Sequence, residues 1–154
     1  MIIASDALSA EMLAQLAAIH GDAFADNGQG WSSSAIDQLC KAPGALLVTD
    51  DATHPSGFCL LRQVHDEAEL LTIAVHPPRW NKGCGTALLS EACRALRAQG
   101  CNFVFLEVAA RNARARHIYD RLGFSQIGIR PGYYGTHETG TALVMRVSLC
   151  PPNS

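Results

Sequence analysis

Apolar and polar positions along the chain mark out a short series of elements. Ile2 to Ala4 read as a brief first strand. From Leu8 to Phe24 the residues Leu13, Leu16, Ala17 and His20 share one face at helical spacing, and this helix breaks at Gly21 or in the loop Asn27-Gly28-Gln29-Gly30. A second short helix is predicted from Ser32 or Ser33 to just before Pro43-Gly44. Ala45–Thr49 and Gly57–Val64 read as a hairpin closed over Asp50 to Ser56, and the strand Glu69 to Val75 continues the meander. Beyond a glycine pair, Leu88, Leu89, Ala92, Cys93 and Leu96 give a one-sided helix. Phe103 to Leu106 and Val108 suit a buried strand, Asn112 is a good N-cap for a helix through Leu122, and Gly123 supplies its left-handed exit. Ala142 to Met145 is a last strand. The pattern predicts an α/β fold of the α+β type, with a mixed sheet flanked by helices. One domain is expected over residues 1–149, with a frayed, disordered tail over 150–154 that ends Pro-Pro-Asn-Ser.

Composition narrows the class. With 154 residues and 48% hydrophobic content, the chain can bury one proper core. No run approaches the ~18 apolar residues of a membrane helix, and no basic-then-apolar leader opens the chain, so a cytoplasmic location and no membrane partner are expected. A net charge of −2 predicts no broad electrostatic footprint for nucleic acid. The six cysteines lack metal-ligand spacing and read as small buried hydrophobes, and the six histidines show no metal spacing and read as surface or core-satisfied residues. No metal is expected. Cys84, at a helix N-terminus beside Lys82, is the cysteine in which some thiolate character is expected, with covalent catalysis a minor reading.

Candidate chemistry begins in Ala68 to Gly100, which runs strand, glycine loop, helix. The first N–H groups of a helix have no internal partner and carry the positive end of its dipole, so this mouth suits an anion such as a phosphate. Gly83 and Gly85 leave room for close approach. The G-x-x-x-x-G-K-[ST] loop is absent, and Gly83-Cys84-Gly85 lacks the third glycine of a dinucleotide fold. Taken alone, the pair is better read as shaping a plain strand-to-helix turn, and it is the segment that follows which favours the anion site. Further on, Glu107 is the one charge in an otherwise apolar strand and needs a partner or a job. Pairing with Arg111, Arg114 or Arg116 and a catalytic role stand level on the residues alone.

Together these stretches resemble the GCN5-related N-acetyltransferase (GNAT) superfamily, whose pattern is a strand, [QR]-x-x-G-x-[GA], a helix, L-E-V-x-x-x-N, and a helix bearing a tyrosine before L-G-F. Here they stand as Trp80-Asn81-Lys82-Gly83-Cys84-Gly85, Leu106-Glu107-Val108 with Asn112, and Tyr119 with Leu122-Gly123-Phe124. The likeness is strongest from Ala68 to Met145, and within the superfamily it is greatest to the RimI-type ribosomal-protein-alanine N-acetyltransferases. Two positions depart from the pattern: Trp80 stands where Gln or Arg is usual, and Thr141 where that branch has Asp.

The resemblance implies acetyl-CoA as cofactor and central strands that splay to admit its pantetheine arm. Ile73, Ala74 and Val75 are then expected at the pantetheine or acetyl end. Asn81, Lys82, Gly83, Cys84, Gly85 and Thr86 are expected at the diphosphate, and Asn112 at the pantetheine as well as at the helix cap. Glu107 is the candidate base for a protonated amine, with Glu69 its competitor, and Tyr119 the candidate acid for the departing thiolate. The regions around Trp31, Tyr133 and Tyr134 resemble those flanking the acceptor groove. The expected acceptor is a protein or peptide N-terminus; a small-molecule amine, or a non-catalytic acyl-CoA-binding module, are the alternatives.

Overall fold

The computed structural model of the protein describes residues 1–25, 30–131 and 140–150. Among these residues seven strands form one sheet: β1 (Ile2–Ile3), β2 (Ala45–Thr49), β3 (Gly57–Val64), β4 (Glu67–Val75), β5 (Phe103–Ala109), β6 (Ser125–Arg130) and β7 (Ala142–Ser148). Their order is β1-β2-β3-β4-β5-β7-β6, and only the β4–β5 pair is parallel. The helices are α1 (Ala10–Ala23), α2 (Ser33–Lys41), α3 (Cys84–Ala98) and α4 (Ala113–Arg121). The β2–β3 hairpin lies at the predicted bounds. β6 was not anticipated: it is a mostly exposed edge strand interrupted by Gly128 and carries no clean alternation.

Two cores sit on opposite faces of the sheet. Met12, Leu16 and Ile19 of α1 and Ile36 and Cys40 of α2 cover Leu47, Phe58, Leu60 and Ala74. Leu88, Leu89, Ala92 and Leu96 of α3, with Ile118 and Tyr119 of α4, cover Cys59, Leu61, Val104, Leu106 and Val108. Between Leu60 and Leu61 the β3–β4 register shifts, because Leu60 pairs with Thr72 and Leu61 with Leu70, leaving Leu71 as an extra residue. A bulge of this kind reverses which residues face each side. Ala68 and Leu70 point into the α3 core before it, and Ile73 and Val75 do so after it.

Helix starts show a contrast that matters for the site. Ser9 caps α1 by accepting from Met12 N–H (3.0 Å), Ser32 caps α2 by accepting from Ala35 N–H (3.1 Å), and Asn112 caps α4 by accepting from Ala115 N–H (3.1 Å). Gly83 stands at the cap position of α3 and offers no side chain. At the other end of the chain, Leu149 N–H donates to the Asn102 carbonyl and Cys150 Sγ to Asn102 Oδ1, so the chain stays tied to the sheet through Cys150. The rest of the predicted tail, 151–154, lies outside the described residues.

Candidate active site

The mouth of α3 is built from backbone. Its first internal bond is Ala87 N–H to the Gly83 carbonyl (3.0 Å), which leaves the N–H groups of Cys84, Gly85 and Thr86 without a partner inside the helix. The two glycines do different work. Gly83 holds φ +84°, a left-handed conformation that costs an ordinary L-residue about 1–2 kcal/mol, and a side chain there would enter open space. Gly85 is buried, and a Cβ on it would come within 2.6 Å of Ile118 Cδ1, so its bareness serves the approach of α4 rather than ligand clearance.

Beside this mouth the sheet opens. β4 and β5 pair only at Glu67–Phe103, Ala68–Val104 and Glu69–Phe105, after which the strands part, while β4 stays paired with β3 as far as Val75. His76 N–H donates to the Ser56 carbonyl (2.7 Å), which fixes the phase of the ladder. In an antiparallel pair, hydrogen-bonded and outward-turned residues alternate, so Ala74 faces β3 whereas Ile73 and Val75 direct their N–H and C=O into the gap. Ile73 and Val75 line the cleft between α3 and α4, which encloses about 200 Å³. Ala74 is the exception among the three predicted contacts, because its side chain sits in the α1–α2 core and its main chain is used by β3.

Of the loop residues, Asn81, Gly83, Cys84, Gly85 and Thr86 line the cleft, and so does Asn112 from α4. Lys82 does not; it is exposed outside the lining. The positive charge of the cleft comes instead from Arg79, Arg114 and Arg121. Arg114 and Arg121 lie seven apart on α4 and therefore on one face, a spacing legible in the sequence. Trp80 bridges the opening: its indole Nε1–H donates to the Val75 carbonyl (2.7 Å), and the Arg114 guanidinium lies 3.4 Å from its ring centroid. The expected thiolate character of Cys84 is corrected. Burial, and then the Asp50 carboxylate, push its thiol pKa up against a smaller opposing pull from Arg79.

Glu107 projects from the sheet face opposite the α3 core, since Leu106 and Val108 point into that core. Its carboxylate accepts from Arg130 Nη2 at 2.8 Å, so the partner comes from β6 and not from Arg111, Arg114 or Arg116. The Glu107 side chain is 26% exposed and open to an incoming group. Glu69, exposed on β4, lies where the strands still pair, one step before the gap. Tyr119 is buried at 4% and packs its ring against Phe124 (5.7 Å between centroids); its neighbours Ile118 and Arg121 line the cleft, and Tyr119 itself lies behind that lining.

The α1 side carries aromatic residues. Phe24 lines the cleft beside Ile73 and Val75 and had not been singled out in the sequence. Trp31, an expected acceptor residue, stacks on His20 (4.6 Å between centroids). Tyr133 and Tyr134, the other two, lie outside the described residues, as does Asn27-Gly28-Gln29. Among the described residues, no cluster of His, Cys, Asp or Glu could hold a metal ion, and no helix is long and apolar enough to cross a membrane.

Comparison with known proteins agrees with this architecture. The family model described as Acetyltransferase (GNAT) family matches residues 13–124. A ribosomal protein bS18-alanine N-acetyltransferase of Salmonella typhimurium is 36% identical over 106 residues, covering 67% of this chain and 70% of that protein. The Escherichia coli K12 protein of the same name is 41% identical over 83 residues, and the match spans 56% of its length. Among solved structures, the ribosomal-protein-S18-alanine N-acetyltransferase from Escherichia coli superposes with a TM-score of 0.81 at 28% identity, covering 100% of this chain and 97% of that one. An aminoglycoside 6′-N-acetyltransferase complexed with coenzyme A shares the fold, with a TM-score of 0.81 at 14% identity over 100% of this chain and 99% of that one. A strand pair that parts beside an uncapped helix mouth, the motif residues around it and the match over residues 13–124 together place this chain in the GNAT acetyltransferase family.

Proposed function

We propose that this protein acetylates the α-amino group of a protein N-terminus, with acetyl-CoA as donor and an N-terminal alanine of a ribosomal protein as acceptor. The observation that carries the reading is the β4 edge: the N–H groups of Ile73 and Val75 and the Ile73 carbonyl are turned into a gap that leads to the uncapped N–H groups of α3, while the Val75 carbonyl is held by the Trp80 indole. The residues fit a pantetheine diphosphate. Outward amides and carbonyls of an opened strand hydrogen-bond an extended amide chain, and three unpartnered N–H groups with Arg79 and Arg114 nearby suit a diphosphate. The choice of a protein N-terminus rests on the two relatives at 36% and 41% identity, both named for that substrate.

Acetyl-CoA, when bound, supplies the thioester and the thiolate that leaves. Everything else falls to the chain. An α-amino group has a pKa of about 7.7–8.0 and must lose a proton before it attacks; Glu107 accepts that proton, directly or through a water, with Arg130 holding its carboxylate in place. The outward N–H of Val75 would hold the thioester carbonyl oxygen and stabilise charge there. Tyr119 gives its hydroxyl proton to the departing sulfur. One experiment tests the reading: peptides beginning with alanine and a panel of polyamines and aminoglycosides are offered with acetyl-CoA, and products are read by mass. Acetylated peptide α-amines are expected. Turnover of small amines alone would reassign the substrate, and no transfer to any acceptor would leave a binding module.

A further inference from the structure

His20 is a buried polar residue that the proposed chemistry does not use. It is 2% exposed, lies in the last turn of α1, and every polar atom of its ring is committed. Trp31 N–H donates to Nδ1 at 3.0 Å, which makes Nδ1 an acceptor and puts the ring proton on Nε2; Nε2–H then donates to Thr72 Oγ1 at 3.1 Å. The imidazole stacks on Phe24 (4.4 Å, 26° between planes) and on Trp31 (4.6 Å, 19°). Two rings cannot share one face at those distances, so His20 is sandwiched between them. Burial keeps it neutral, its pKa pulled down to about 4, and neutrality is what the acceptor role of Nδ1 requires.

These contacts join three separate pieces of chain: Phe24 at the end of α1, Trp31 just before α2, and Thr72 at the β4 bulge, next to the outward-turned Ile73. A second observation points to the same spot. A Cβ on Gly30 would come within 2.8 Å of the Gly21 Cα in α1, so the chain entering α2 lies directly on the α1 backbone and leaves no slack. Phe24 meanwhile lines the cleft beside Ile73 and Val75.

We infer that His20 is a positioning residue for the acceptor: by clamping Phe24 and Trp31 to the strand that holds the acetyl end, it sets the wall that the incoming N-terminus meets. The inference rests on the acetyltransferase reading above. The contacts of His20 reach the cleft through Phe24 and Thr72, away from the helix mouth and from Glu107, so its signature is a change in acceptor recognition that exceeds any change in cofactor recognition.

The test is steady-state kinetics of the full chain with an alanine-initiated peptide and acetyl-CoA. Gln keeps a donor at the place of Nε2 but loses the acceptor toward Trp31; Asn keeps an acceptor at the place of Nδ1. His20→Gln is expected to raise the peptide KM about tenfold, the loss of one buried hydrogen bond, with kcat and the acetyl-CoA KM within about twofold. His20→Asn is expected to restore the peptide KM to within about threefold of the unmodified value, a rescue that loss of stacking alone would not give. Should His20→Gln fail to fold, Gly30→Ala strains the same piece of chain from outside the stack, and the same rise in peptide KM is expected. An unchanged peptide KM in a folded variant, or an equal rise in the acetyl-CoA KM, overturns the inference and leaves the function standing. An unmodified protein that acetylates no peptide overturns both, and the two failures are thereby told apart.

Discussion

On the α3 side of the cleft main-chain groups line the opening, namely the outward N–H groups of Ile73 and Val75, the Ile73 carbonyl and the N–H groups of Cys84, Gly85 and Thr86, with Arg79 and Arg114 adding charge beside them. On the α1 face of the sheet the polar groups are side chains set back from the cleft lining, namely the buried His20–Thr72 pair and the Glu107–Arg130 pair. A backbone cradle tolerates any residue that keeps its φ and ψ, so Trp80, where the resembled pattern has Gln or Arg, is expected to leave the site in place. A side-chain wall depends on identity, and it is there that acceptor specificity can differ between relatives of one fold. The difference can be broken from either side.

The largest effect is expected at Glu107. Glu107→Gln keeps the shape and removes the base, so kcat should fall by roughly 10²–10³ while calorimetry finds acetyl-CoA affinity unchanged. Glu69→Gln is the control and should stay within about twofold, because Glu69 sits before the strands part. A reversed outcome would exchange the two roles.

Next comes the pH dependence of stability. The folded-state pKa of His20 lies at about 4, below its ordinary 6.5, so between these values the unfolded chain binds the extra proton. The contribution is therefore fully present above pH 6.5 and is lost as pH falls toward 4, by roughly 3 kcal/mol. Urea denaturation of the unmodified protein and of His20→Gln should show their stability difference shrinking by that amount between pH 7 and pH 4; parallel curves would place the imidazole in a wetter site.

Smaller effects probe the backbone cradle. Gly83→Ala should cost about 1 kcal/mol of stability through its φ of +84°, and it should weaken acetyl-CoA binding as the helix mouth shifts. Trp80→Phe keeps the ring beneath Arg114 and removes the indole N–H from the Val75 carbonyl. Its acetyl-CoA affinity should change by less than about threefold. A tenfold loss would make the indole part of the cradle and weaken the contrast between the two sides.

Much of the architecture around the α3 mouth was legible in the sequence because helix starts and strand-to-helix turns leave local signatures. The glycine at the α3 start, the Asn112 cap and the apolar run before the loop all fall within short windows, and each element formed where its pattern placed it. What escaped depends on contacts between distant segments. Arg130 reaches Glu107 only through the register of β5, β7 and β6, and β6 itself has too exposed a pattern to read as a strand. The use of Gly85 for packing on Ile118 is invisible without the helix pair. The sequence leaves the six histidines as surface or core-satisfied residues without choosing between the two for His20, whose spacing from Phe24, four residues along one helix face, is the signal available for the stack.

The central claim is that main-chain groups of β4 and α3 hold the donor, and amide hydrogen exchange reads those groups one by one. With saturating acetyl-CoA, the amides of Ile73, Val75, Gly85 and Thr86 should become strongly protected while Ala74, already bonded to β3, stays as it was. Unchanged exchange at all four, with acetyl-CoA shown to be bound, would put the donor elsewhere on the protein and contradict the account.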